Sequence, residues 1–106
     1  MPKYLWQVSY SSDGVKGVVK EGGTSRRAEA TNLVEALGGT LETFYYAFGD
    51  ADVYVIADLP DSASAAAVSM TINAGGAVTL ATVPLLDPSE IDDAAKKSVA
   101  YRPPGG

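Results

Sequence analysis

Between Tyr4 and Tyr10 the chain alternates, with Tyr4, Trp6, Val8 and Tyr10 on one side and Leu5, Gln7 and Ser9 on the other, the period-two pattern of a β-strand. From Ser12 to Lys20 the period changes, and Val15, Val18 and Val19 follow helical spacing. Gly14, Gly17 and the Gly22-Gly23 pair each weaken a helix by about 1 kcal/mol relative to alanine, so the pattern predicts a helix in two parts. In the second part Ala30, Leu33, Val34 and Leu37 recur on one face, with Thr24 or Ser25 available to cap the start and Gly38 to supply a left-handed end. Leu41 to Leu59 alternates as two strands around Gly49-Asp50-Ala51-Asp52 and reads as a hairpin, with Phe44, Tyr46 and Phe48 on one side of its first arm. Pro60-Asp61-Ser62 interrupts the pattern before a second helix, whose apolar stripe is Ala63, Ala66, Ala67, Met70 and Ala74 and whose stop is Gly75-Gly76. Ala77 to Val83 is a fourth strand. Asp87-Pro88-Ser89-Glu90 then combines a capping residue, a first-turn proline and a capping-box glutamate; Asp92-Asp93 early and Lys96-Lys97 late suit the dipole of that final helix.

The order β-α-β-β-α-β plus a C-terminal helix predicts an α+β fold of the ferredoxin-like kind, with an antiparallel four-stranded sheet and both crossover helices on one face. One domain is expected over residues 1–97, followed by a Pro/Gly-rich tail, 98–106, that is disordered or laid across a neighbour. The other face of the sheet then needs a cover. Val53, Val55 and Ala57 oppose Tyr54, Ile56 and Asp58 on the third strand, and Val78, Leu80 and Thr82 oppose Ala77, Thr79, Ala81 and Val83 on the fourth, so neither phase reads as a solvated surface. The expectation is a homodimer or higher homo-oligomer with sheets facing one another.

Composition narrows the chemistry. The 106 residues include no cysteine and no histidine, which removes disulfides, thiolate nucleophiles, the commonest general base and the commonest transition-metal ligand. A net charge of -5, with the few Lys and Arg dispersed apart from Arg26-Arg27, argues against nucleic acid. No apolar stretch approaches membrane-spanning length, and the start of the chain alternates, so a cytoplasmic protein with no membrane partner is expected. Acidic pairs such as Asp92-Asp93 lack metal-ligand spacing, and no metal or cofactor is predicted.

The candidate binding residues are Arg26, Arg27, Tyr10, Asp52 and Tyr54; no catalytic residue is assigned. Arginines near a helix N-terminus are unfavourable against the macrodipole unless something answers them. A small anion held by guanidinium and exposed N–H groups is one answer. An ion pair with Asp58, Asp61 or another subunit's carboxylate is the structural one. The loop lacks the lysine and spacing of a P-loop. Asp50 and Asp52 flank the hairpin turn, where aspartate bonds the local backbone; alternatively, Asp52 faces the space between sheets with Tyr10 or Tyr54 as hydrogen-bond donor. Asn73, before Gly75-Gly76, helps terminate its helix or contacts a ligand.

Met1-Pro2-Lys3-Tyr4, Gly22-Gly23-Thr24-Ser25-Arg26-Arg27, Phe44-Tyr45-Tyr46-Ala47-Phe48-Gly49-Asp50 and Asp52-Val53-Tyr54-Val55-Ile56-Ala57-Asp58-Leu59-Pro60-Asp61 together resemble the GYD-domain family over roughly residues 1 to 95. The resemblance implies a bacterial protein with a ferredoxin-like fold of the dimeric α/β-barrel class, often oligomerised further, and it names a fold rather than a reaction. The chain keeps Gly49 and Asp52 but has Ala51 where the family signature has tyrosine, so a role resting on that phenol does not transfer. Two functions follow. One is a non-catalytic small-molecule-binding or accessory module; the other, by analogy with dimeric α/β barrels, is a cofactor-free isomerase or monooxygenase using Asp52 and a tyrosine at the inter-sheet cleft.

Overall fold

The computed structural model describes residues 1–106. Its elements are β1 (Lys3–Tyr10), α1 (Ser12–Glu21), α2 (Gly23–Ala36), β2 (Thr40–Tyr46), β3 (Val53–Asp58), α3 (Ser62–Gly75), β4 (Val78–Leu85) and α4 (Pro88–Ala95). The strands form one antiparallel sheet in the order β2-β3-β1-β4. Register places Trp6 between Val55 and Thr82, and Val8 between Val53 and Leu80, so one face collects the large apolar side chains. Tyr4, Trp6, Val53, Val55, Ala57 and Leu80 are buried there against Val34 of α2 and Ala65 and Val68 of α3. Each fully buried aliphatic side chain in such a layer contributes about 1.5–3 kcal/mol. No helix is long and apolar enough to cross a membrane.

The two-part helix forms as its glycines predict. Gly22, at φ +86°, closes α1 by donating its N–H to the Val18 carbonyl at 2.7 Å and starts α2 in a backbone conformation that a Cβ would strain. α2 begins two or three residues earlier than expected, and neither Thr24 nor Ser25 caps it: both lie within its first turn, and the capping position belongs to Gly22. Gly38 supplies the left-handed end at φ +82°.

Three other expectations change. The buried stripe of α3 is Ala65 and Val68, with Ile72 packed beside them, while Ala63, Ala66, Ala67, Met70 and Ala74 are exposed. Alanines on every side of this helix give no clear direction; the bulkier Val68 and Ile72, one turn apart, decide which face goes in. The hairpin connection runs from Ala47 to Asp52, so Phe48 is not in the strand; it sits at φ +59°, exposed, its ring stacked on Tyr46 at 5.9 Å. β4 runs on to Leu85.

The capping box of α4 is present, with the Asp87 N–H donating to Glu90 Oε1 at 3.0 Å, yet α4 buries none of its side chains and the molecule is elongated, 55 × 34 × 23 Å. The helix-free face carries Leu5, Gln7, Ser9, Tyr54, Ile56 and Val83, half-buried or exposed in the single chain. At one end of that face Lys3 donates to Glu42 at 2.6 Å and Asp58 at 2.9 Å, and these two acceptors push its ammonium pKa up.

Candidate functional site

α2 lies along β2, and α3 lies along β4. Between them a cleft of about 460 Å³ opens on the helix-covered side of the sheet. Its floor is Val8 of β1, Val53 of β3, Phe44 of β2 and Val78 and Leu80 of β4; Ala30 and Leu33 of α2 and Ile72 of α3 form the walls. Tyr10, Arg26, Glu29 and Asn32 supply its polar groups, with Arg26 next to the Tyr10 phenol.

Local sequence builds each side. Arg26, Ala30 and Leu33 fall at i, i+4 and i+7 of α2, so a guanidinium and two apolar side chains share one stripe. The stripe is held at its N-terminal end by Tyr46: its hydroxyl donates to the Gly23 carbonyl at 3.2 Å, and its ring lies where a Cβ on residue 23 would come within 2.9 Å of Cε2. Only glycine lets the start of α2 come this close. On the other side Asn73, in the last turn of α3, donates from Nδ2 to the Leu80 carbonyl at 3.0 Å and accepts the Leu80 N–H on Oδ1 at 2.7 Å. Asn73 thus clamps α3 to the edge strand at a floor residue, in addition to ending its helix through the Gly76 N–H.

Of the five candidate residues, the structure brings two into this cleft. Tyr10 has its phenol pKa pushed up to about 12, first by burial and then by the neighbouring Tyr46, with the Arg26 guanidinium pulling the other way. It is therefore a neutral hydroxyl, able to donate, at any ordinary pH. Arg26 is half-buried, and its ion-pair partner is Glu21 at 3.6 Å, across the Gly22 junction. The expected pairings with Asp58 and Asp61 do not occur. Asp58 is taken by Lys3, and Asp61 caps α3 by accepting the Ser64 N–H at 2.8 Å, a bond that holds its carboxyl below the usual range.

The other three lie elsewhere. Arg27 is exposed and lines no part of the cleft. Asp52 accepts the backbone N–H of Tyr10 on Oδ2 at 2.8 Å, so its carboxylate ties the hairpin loop to the end of β1, forty-two residues away in sequence, instead of bonding its own turn. Tyr54 sits on the helix-free face, where a smaller groove of about 330 Å³ is lined with Gln7, Ser9, Asp50, Ala51 and Thr79. The 460 Å³ cleft thus belongs to one chain and lies on the helix-covered side of the sheet, opposite Tyr54. Asp52 makes no side-chain bond to a tyrosine hydroxyl.

Glu29, Asn32 and Ile72 are lining residues that sequence reasoning missed. The signal for Glu29 was present in the Arg26–Leu33 stripe, which places residues 26, 29, 30 and 33 on one helical face. Asn32 and Ile72 depend on how far α2 and α3 stand apart, which no local pattern encodes.

The family model of the GYD domain matches residues 4–95. The chain belongs to the GYD-domain family. No curated protein and no solved structure matches it. The GYD match runs from β1 through α4, so every element that lines the cleft lies within the family domain. Ala51, where the GYD signature has tyrosine, is buried in the hairpin loop.

Proposed function

We propose that this GYD-domain protein is a non-catalytic small-molecule-binding module, and that its ligand is a small anion with an apolar body held in the cleft between α2, α3 and the sheet. The observation that carries the reading is a cleft in which eight of the twelve lining residues are wholly apolar while the Arg26 guanidinium and the Tyr10 phenol lie side by side. Its volume falls in the range of small-molecule sites, of order 300–1,000 Å³, and such sites join an apolar lining to a few convergent polar groups. Burial of the ligand body supplies affinity; Arg26 and Tyr10 donate to its carboxylate or phosphate and fix its direction. Glu21 has to give way. An exposed pair of that kind contributes only about 0–1 kcal/mol, less than a charged hydrogen bond formed inside the cleft.

The non-catalytic reading rests on Asp52, whose carboxylate is committed to the Tyr10 backbone, and on a sequence with no histidine or cysteine. The strand order β2-β3-β1-β4, with helices on one face, supports the finer assignment to the ferredoxin-like fold. Leu5, Ile56, Tyr54 and Val83 on the opposite face support pairing of two sheets into a dimeric α/β barrel, because burying a few hundred Å² of such surface yields several kcal/mol at about 25 cal/mol per Å².

The test is thermal denaturation with 1-naphthoate and its neutral amide as probes. A ligand that binds only the folded state raises the melting temperature in proportion to its occupancy. The acid is expected to raise the Tm of the wild-type protein more than the amide does, and this difference is expected to vanish in Arg26→Ala. Equal shifts from acid and amide, or a difference that survives in Arg26→Ala, would refute the site.

A further inference from the structure

The cleft does not end at Leu33 and Ile72. Those two residues also line a second concavity, of about 250 Å³, farther along the same seam between α2 and α3, where Ala36, Leu37, Ala67 and Thr71 form its sides. The two spaces adjoin in the seam between α2 and α3, a trough with Leu33 and Ile72 on the boundary between them.

The compartments differ in charge. Arg26 and Glu29 are both in the first, and the second has no charged lining residue and a single polar one, Thr71. Within the first, Glu29 is exposed to water, whereas Arg26 is half-buried beside the Tyr10 phenol, so an anionic group is favoured at the Arg26 end. A ligand confined to the first compartment does not reach Leu37, which lines only the second.

We infer that the natural ligand is a single-chain amphiphile, with a carboxylate-like head at Arg26 and Tyr10 and an unbranched apolar tail threaded past Leu33 and Ile72 toward Leu37. This assignment rests on the proposed anion site and adds a ligand class to it. From Arg26 to Leu37 the helix rises about 16 Å, roughly the length of a linear fatty acid of ten to twelve carbons. Each methylene drawn from water into such a seam tightens binding by up to about fourfold.

The experiment is isothermal titration of the full chain with the sodium salts of hexanoate, octanoate, decanoate and dodecanoate, each below its micelle concentration, with decylammonium and 1-naphthoate alongside. Affinity is expected to rise about two- to fourfold per methylene up to ten or twelve carbons, and decylammonium to bind at least tenfold more weakly than decanoate. Ala67→Trp and Ala36→Trp fill the second compartment from opposite walls. In either variant, with folding checked by circular dichroism, dodecanoate is expected to bind no more tightly than octanoate. Binding of 1-naphthoate with no chain-length dependence would overturn the single-chain ligand and leave the anion site standing; failure of every anion to bind would overturn both. A chain-length gain that persists in both tryptophan variants would overturn the trough as the tail's place. Acid binding that falls with rising protein concentration would show the trough occupied by a second copy of the chain, and would overturn the proposal as well.

Discussion

Tyr10 joins three jobs on one residue. Its backbone N–H holds the Asp52 carboxylate, its ring lines the cleft, and its hydroxyl stands beside Arg26 and Tyr46. Because burial raises the phenol from 10.0 to about 12, the folded protein prefers the protonated form more than the unfolded chain does. The linked stability is therefore complete below pH 10 and is lost as the pH rises through about 12. Alkaline difference titration of tyrosinate absorbance, wild type minus Tyr10→Phe, is expected to show a component with a midpoint near 12, and the variant is expected to lose less stability across the same window. Identical alkaline profiles for the two proteins would contradict this. Tyr10 and Arg26 were visible as candidates in the sequence because a strand-terminal tyrosine and an arginine after a glycine pair are local features. Asp52 was misread for the opposite reason: its acceptor role depends on a β1 backbone far away in the chain.

At the scale of elements, α2 and α3 decide whether there is a cleft at all. Their existence was legible from period and punctuation, and the Gly22-Gly23 break appeared where the glycines put it. Their separation was not legible, since it depends on side-chain sizes across two helices and a sheet. α3 shows why: its alanines point every way, and the face chosen by Val68 and Ile72 was hidden among them. The seating of α2 depends on a glycine. Gly23→Ala puts a methyl 2.9 Å from the Tyr46 ring and is expected to cost about 1–3 kcal/mol in urea denaturation through overpacking. Gly75→Ala, with nothing within 4 Å of its added Cβ, is expected to be neutral or to stabilise the last turn of α3 by about 0.4–1 kcal/mol. Two glycine-to-alanine changes of the same sign would contradict the assignment of Gly23 to close packing.

For the molecule as a whole, the sheet divides two functions between two faces. The helix-covered face holds the core and the trough, and the helix-free face, with Leu5, Ile56 and Val83, is the surface we propose for pairing with a second copy. Under the proposed pairing of helix-free faces each trough would lie on the opposite side of its sheet from the interface, so ligand binding and assembly would not compete. The alternation in β1 and β3 makes both faces readable from sequence, but it does not say which face a ligand uses; the need to cover an apolar helix-free face is what points the sequence toward the space between sheets. The account stands on the helix-side location of the site. Amide chemical shifts followed by two-dimensional NMR during a titration with decanoate test this most directly: the largest changes are expected at Arg26, Ala30, Leu33, Val53 and Ile72, with Leu5, Gln7 and Ile56 nearly still, whereas changes concentrated on Leu5, Gln7 and Ile56 would contradict it.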